Sequence, residues 1–73
     1  MNGYAVIIEG DRRSGYSAYS PDLPGCVSAG GTIEEVERLM REAIEFHLEG
    51  LRADGDPVPE PSSAAAYVEI PAE

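Results

Sequence analysis

From Ile33 to about Ala53 the chain runs without a proline and with one interior glycine, Gly50. Thr32-Ile33-Glu34-Glu35 opens that stretch as a capping box, in which the Thr32 hydroxyl accepts from a free backbone N–H of the first turn and Glu35 reaches back to the cap. Asp54-Gly55 supplies the stop. At 100° per residue Val36, Met40, Ala43, His47 and Leu51 stack on one side with Ile33 and Ile44 beside them. Glu34, Arg38, Arg41, Glu42, Glu45, Glu49 and Arg52 take the other side, and Glu34–Arg38 and Glu37–Arg41 are i,i+4 pairs in the favourable order. A single amphipathic helix needs a sheet to cover, which confines the chain to a two-layer α+β fold.

Four short segments read as strands for that sheet. Residues 4–9 alternate β-branched and aromatic side chains, with Tyr4, Val6 and Ile8 on one face and Ala5, Ile7 and Glu9 on the other. Gly10 to Gly15 is a polar hairpin connection, residues 15–20 form a second alternating strand, and residues 26–29 form a third. Residues 66–70, carrying Tyr67-Val-Glu-Ile70 before Pro71, read as a fourth. The alternating prolines of Asp56 to Pro61 are a stiff spacer and not a domain boundary, so residues 1–73 make one domain. Three hairpin-linked strands, a helix and a returning strand predict a mixed sheet of order 3-2-1-4 with a right-handed crossover, one face under the helix and one face bare.

Composition narrows what such a domain can do. In 73 residues there are fourteen carboxylates and five arginines with no lysine, a formal charge of −9. Phosphate recognition needs a basic stripe, so direct nucleic-acid binding is not expected, and a basic partner protein fits the sign. A chain of this length buries only ~60–65% of its unfolded surface, which leaves one small core and little room for an internal active-site cavity. Cys26 is the only cysteine, which excludes an internal disulfide and a cysteine zinc site and suits a reducing cytosol. Met-Asn-Gly precedes the first apolar run without a positive charge, and that run is far short of the ~20 residues of a membrane helix, so neither a signal peptide nor a membrane span is expected.

The chemistry-bearing residues are scattered. Glu9 and Asp11 flank the hairpin and Asp22 sits in a proline turn, where carboxylates commonly bond to their own backbone; no metal or other cofactor is expected. His47 falls at the centre of the apolar helix stripe without a second histidine, and is expected to be packed and hydrogen-bonded to backbone or to a tyrosine. Cys26 follows Gly25 at a strand start and reads as a small buried hydrophobe. Gly10 to Gly15 has no lysine and no helix after it, so it is not a phosphate cradle. Catalytic residues are therefore not assigned.

Partner contacts are one use of the remaining side chains, beside core packing, the commoner role for each tyrosine taken singly, and a plain strand connection for the proline loop. Tyr16 and Tyr19 project to opposite faces of the second strand, and Pro21, Asp22, Leu23 and Pro24 form a pre-ordered loop with an apolar tip. Leu39 and Phe46 on one shoulder and Leu48 on the other widen the apolar arc of the helix to about 200°, more than covering one sheet requires. Leu48 aside, these eight residues are the expected partner-binding set.

Gly15-Tyr16, then Ser20-Pro-Asp-Leu-Pro-Gly-Cys26, then Gly31-Thr-Ile-Glu-Glu35, then Arg41-Glu-Ala-Ile44 resembles the HicB-like antitoxin family from about Tyr4 to Ile70. The resemblance implies a partial RNase H-like βββαβ core. It also implies an antitoxin that binds and masks HicA, a small basic toxin with a double-stranded-RNA-binding-like fold that cleaves messenger RNA with a histidine. Many members continue after the last strand into a helix-turn-helix or ribbon-helix-helix module; here Glu73 follows Ile70 by three residues, so operator binding by this polypeptide is not expected. The sequence thus predicts a cytoplasmic, non-enzymatic, oligomer-forming protein-binding module. Its rivals are a weak metal-dependent RNase H-like ribonuclease and an orphan oligomeric domain with no toxin partner.

Overall fold

The computed structural model of the chain describes residues 3–72. Strand β1 spans Ile7–Asp11, β2 Gly15–Tyr19 and β3 Val27–Gly30, and helix α1 spans Ile33–Ala53. The helix begins where the capping box puts it. Thr32 Oγ1 accepts from the Glu35 N–H at 3.0 Å, and the Glu35 carboxylate reaches back to the N–H of Gly31 at 2.7 Å. It ends where Asp54-Gly55 puts it: Gly55 takes a φ of +72°, and the N–H groups of Gly55 and Asp56 turn back to the carbonyls of Arg52 and Leu51. The expected i,i+4 pairs are corrected, because among the described residues the one ion pair joins Arg38 to Glu42 at 3.2 Å, in the less favourable order and exposed.

β1 and β2 pair antiparallel from Ile7↔Tyr19 to Asp11↔Gly15, and β2 and β3 from Tyr16↔Gly30 to Tyr19↔Val27. The hairpin is tighter than Gly10 to Gly15 suggested, and β1 runs on to Asp11. The Asp11 carboxylate takes three donors from the turn, the N–H groups of Arg13 and Ser14 and the Ser14 hydroxyl. Gly10 is obligatory there, since its φ is +127° and a Cβ would run into the Gly15 carbonyl. β2 stops at Tyr19 because Pro21 has no N–H to extend the ladder, and the Ser20 hydroxyl bonds the Ala5 carbonyl at 2.9 Å instead.

The sheet has three strands in the order β1-β2-β3, and residues 66–70 form no strand. The four-stranded order 3-2-1-4, and with it the partial RNase H-like core, is therefore corrected to an α+β fold with an antiparallel three-stranded sheet. The physical reason lies in the spacer. Residues 57–63 run back along the body as a strap with Val58, Pro59 and Pro61 half-buried; the Tyr4 hydroxyl bonds the Pro59 carbonyl, and Ser62 and Ser63 fasten to Asp22. Beyond that clasp the chain leaves the body unpaired. Alternation alone does not make a strand without a partner ladder.

α1 packs across β3 and β2. Its Val36 and Met40 meet Ala18, Leu23 and Cys26 in the buried core, with Tyr4, Val6, Ile8, Tyr16, Ala43, Ile44 and Leu48 around them. Leu23 comes from the β2–β3 loop and is fully buried, which corrects the expectation of an exposed apolar tip. The loop folds it inward through two turns, Leu23 N–H to Ser20 O and Cys26 N–H to Leu23 O, with Gly25 at a φ of +87°.

Candidate partner-binding surfaces

The pairing register sorts side chains by face. Ile8, Ala18 and Ser28 stand in one cross-strand row under the helix, so Ile7, Tyr19 and Val27 stand in a row on the bare face. Tyr19 is 43% and Val27 63% exposed there. Tyr16 lies on the helix side, half-buried beside Thr32 and Ile33, so the two tyrosines do occupy opposite faces. Pro21 and Pro24 are exposed in the loop just past Tyr19.

Asp22 is engaged by the chain itself. Its carboxylate accepts from the N–H and the hydroxyl of both Ser62 and Ser63, at 2.8–3.0 Å. The Ser63 and Ser62 N–H groups, followed by the Ser63 hydroxyl, hold its carboxyl well below the usual carboxylate range, at about 2. No motif spacing announces this clasp, because its halves lie 40 residues apart in the sequence. Asp11 is likewise lowered, by the N–H and hydroxyl of Ser14 and then the N–H of Arg13.

Phe46 is 78% exposed and Leu39 half-buried on one shoulder of the helix. Around them Glu35, Glu42 and Glu49 are exposed, with Arg38 paired to Glu42 at the edge, so an aromatic ring stands in a mainly acidic surround. On the opposite shoulder a groove of about 480 Å³ runs between α1 and β1. Tyr4, Val6 and Ile8 form its sheet wall, Met40, Ile44 and Leu48 its helix wall, and Glu37, Arg41 and Glu45 its rim. It exists because α1 sits over β2 and β3 and only partly covers the helix side of β1, where Tyr4, Val6 and Ile8 are half-buried. The eight expected contact residues thus fall in separate places: Tyr19, Pro21 and Pro24 by the bare sheet, Leu39 and Phe46 on the helix, Tyr16 between layers, Asp22 in the clasp, and Leu23 in the core.

Cys26 is a buried free thiol whose pKa burial pushes up, as a small packed hydrophobe should be. His47 is half-buried on α1, and no hydrogen bond to backbone or to a tyrosine is found for its ring among the described residues. Asp11 and Asp22 lie at opposite ends of the sheet, since Asp11 pairs beside the hairpin and Asp22 follows the far end of β2. Among the described residues no group of three or more His, Cys, Asp or Glu side chains could hold a metal ion, and no helix is long and apolar enough to cross a membrane.

A family model described as "HicB_like antitoxin of bacterial toxin-antitoxin system" matches residues 4–72. A 14.9 kDa protein from the rep-hol intergenic region of Haemophilus phage HP1 is 38% identical over 68 residues, covering 93% of this chain and 50% of its own length. A UPF0150 protein of Synechocystis sp. is 45% identical, over 77% of this chain and 71% of its own. Another UPF0150 protein, from Helicobacter pylori, is 50% identical over 67% of both chains. The chain spans half the length of the phage relative and about two thirds or more of the other two.

Proposed function

The chain belongs to the HicB-like antitoxin family of bacterial toxin–antitoxin systems, and we propose that it binds and masks a small basic toxin of the HicA type. Membership of an antitoxin family points to a protein that acts by binding a toxin and not as an enzyme. The observation that best supports a basic partner is Phe46, exposed on the acidic side of α1 with Leu39 about two turns earlier on the same shoulder. An aromatic anchor inside a charged surround has the anatomy of an interface hot spot.

The mechanism is electrostatic steering followed by steric masking. A net charge of −9 raises the encounter rate with a basic protein, and burial of Phe46 sets the lifetime of the complex. Tyr19, Val27 and Ile7 on the bare sheet face are a second apolar area, and self-association of the antitoxin in the cytoplasm is part of the same proposal. The test is co-purification with the small basic protein encoded in the adjacent reading frame. A complex should form, its association should slow steeply towards about 0.5 M salt, and Phe46→Ala should weaken it by at least about tenfold. Absence of a complex together with absence of rescue from toxicity overturns the proposal.

A further inference from the structure

The free edge of β1, the apolar groove beside it and the unpaired end of the chain are three separate observations that answer one another. β1 pairs only with β2, so from Ile7 to Asp11 its outer backbone groups lack a strand partner among the described residues. Such an edge is a template for strand addition. A strand laid along it would send alternate side chains into the groove walled by Tyr4, Val6, Ile8, Met40, Ile44 and Leu48. Residues 66–70 have the matching pattern. Val68 is 76% and Ile70 80% exposed, on the same side of an extended chain as Ala66, while Tyr67 is fully exposed on the other with Glu69.

The arm stands off its own body. The Cα radius of gyration is 14.3 Å where a compact chain of this length has about 11 Å, and the longest axis is 52 Å against 25 and 18 Å for the other two. The clasp of Ser62 and Ser63 on Asp22 fixes where the arm begins, and Ala64 and Ala65 connect it to residues 66–70. From Ser63 to Ile70 an extended arm reaches ~23 Å, enough to meet a neighbouring molecule.

We propose that residues 66–70 of one copy add as a strand to the free edge of β1 in a second copy, and that the exchange is reciprocal. This rests on the self-association proposed above and names the surfaces that carry it. The occupant is a second copy because edge, groove and arm belong to one chain, so a two-fold exchange closes both edges at once. Val68 and Ile70 enter the groove, and Tyr67 and Glu69 face away from the helix. The arm brings only Glu69 as charge, on its solvent side, which suits association between two chains of like sign.

The test is sedimentation velocity on the full chain and on Val68→Pro, with isotope-filtered NOEs on a mixture of labelled and unlabelled chains. Proline at 68 removes a ladder donor from a segment the monomer does not pack, so the helical circular dichroism should be unchanged. The expected results are a dimer for the parent chain, at least a tenfold weaker dimer for the variant, and intermolecular NOEs from Val68 and Ile70 methyls to Ile8, Met40 or Ile44. A monomeric parent overturns both the exchange and self-association. A dimer indifferent to Val68→Pro, or NOEs from the arm to β1 within one chain only, overturns the exchange and leaves self-association and toxin binding standing.

Discussion

Leu23 and Phe46 look alike in the sequence, as large apolar residues in positions suited to a partner, and the structure gives them opposite roles. Leu23 is fully buried between the sheet and α1, and Phe46 projects into solvent. Truncating Leu23 to alanine removes the burial of a leucine side chain, about 1.5–3 kcal/mol, and leaves a cavity. Comparable truncations cost about 2.7–5 kcal/mol in total. A loop-borne site in a small domain relaxes more readily than a helix-packed one, so we place Leu23→Ala at about 3 kcal/mol. The whole chain is worth only about 4–11 kcal/mol by the usual scaling per residue, so this single change removes a large share of it. The melting temperature should fall by about 12–24 °C. Phe46→Ala should stay within about 0.5 kcal/mol of the parent.

The assay is urea unfolding followed by helical circular dichroism at fixed protein concentration, with the slope checked for constancy. Leu23→Met, which conserves volume, should cost less than about 1.5 kcal/mol and so keeps the comparison readable if the alanine variant is largely unfolded. A change below about 0.5 kcal/mol for Leu23→Ala would refute the reasoning and return the residue to the loop surface.

Other outcomes follow from the caps and the titrating groups. Thr32→Ala loses the hydroxyl that accepts from Glu35 N–H and should cost about 1 kcal/mol in the same urea assay. Gly55→Ala should cost about 1–2 kcal/mol, because alanine is strained at a φ of +72° even though space around it is open. The Asp22 carboxyl is lowered to about 2 by its serine donors, so the clasp's contribution is fully present above the unfolded value of about 3.9 and is lost as pH falls through about 2. The Ser62 and Ser63 amide resonances should therefore titrate near that pH, and Asp22→Asn should abolish the titration. Cys26, buried and with its thiol pKa pushed up, should react with iodoacetamide at least about tenfold more slowly in the folded chain than in urea.

What could be read from the sequence was what neighbouring residues decide among themselves. The capping box, the stop at Asp54-Gly55 and the hairpin between β1 and β2 depend on partners within a few residues, and all three are found. The same locality misled at residues 66–70, where alternation was present and the partner strand was not. Leu23 departs from the sequence expectation for a related reason: prolines on both sides announce a rigid loop but not which way its middle residue points. The Asp22 clasp joins residues 40 and 41 apart through side chains that are ordinary turn formers, so nothing in the spacing distinguishes it from two unrelated turns. The ion pair on α1 went to Arg38 and Glu42 because Arg38 has acids on both sides at four residues, and spacing does not choose between them.

The two proposed contacts lie on opposite shoulders of the same helix, Phe46 on one and the groove of Met40, Ile44 and Leu48 on the other. That separation leaves room for both at once, a toxin against the acidic shoulder and a second antitoxin along the β1 edge. It also gives them opposite responses to salt. A chain of charge −9 attracts a basic toxin and repels its own copy, and ions within the ~8–10 Å Debye length damp both effects. Raising salt should therefore loosen the toxin complex while tightening the antitoxin dimer. A single interface shared by both partners would make them compete and would set the occupancy of one against the other. Two interfaces would instead let a dimer carry two toxins, so the stoichiometry of the complex at high and low salt distinguishes the arrangements.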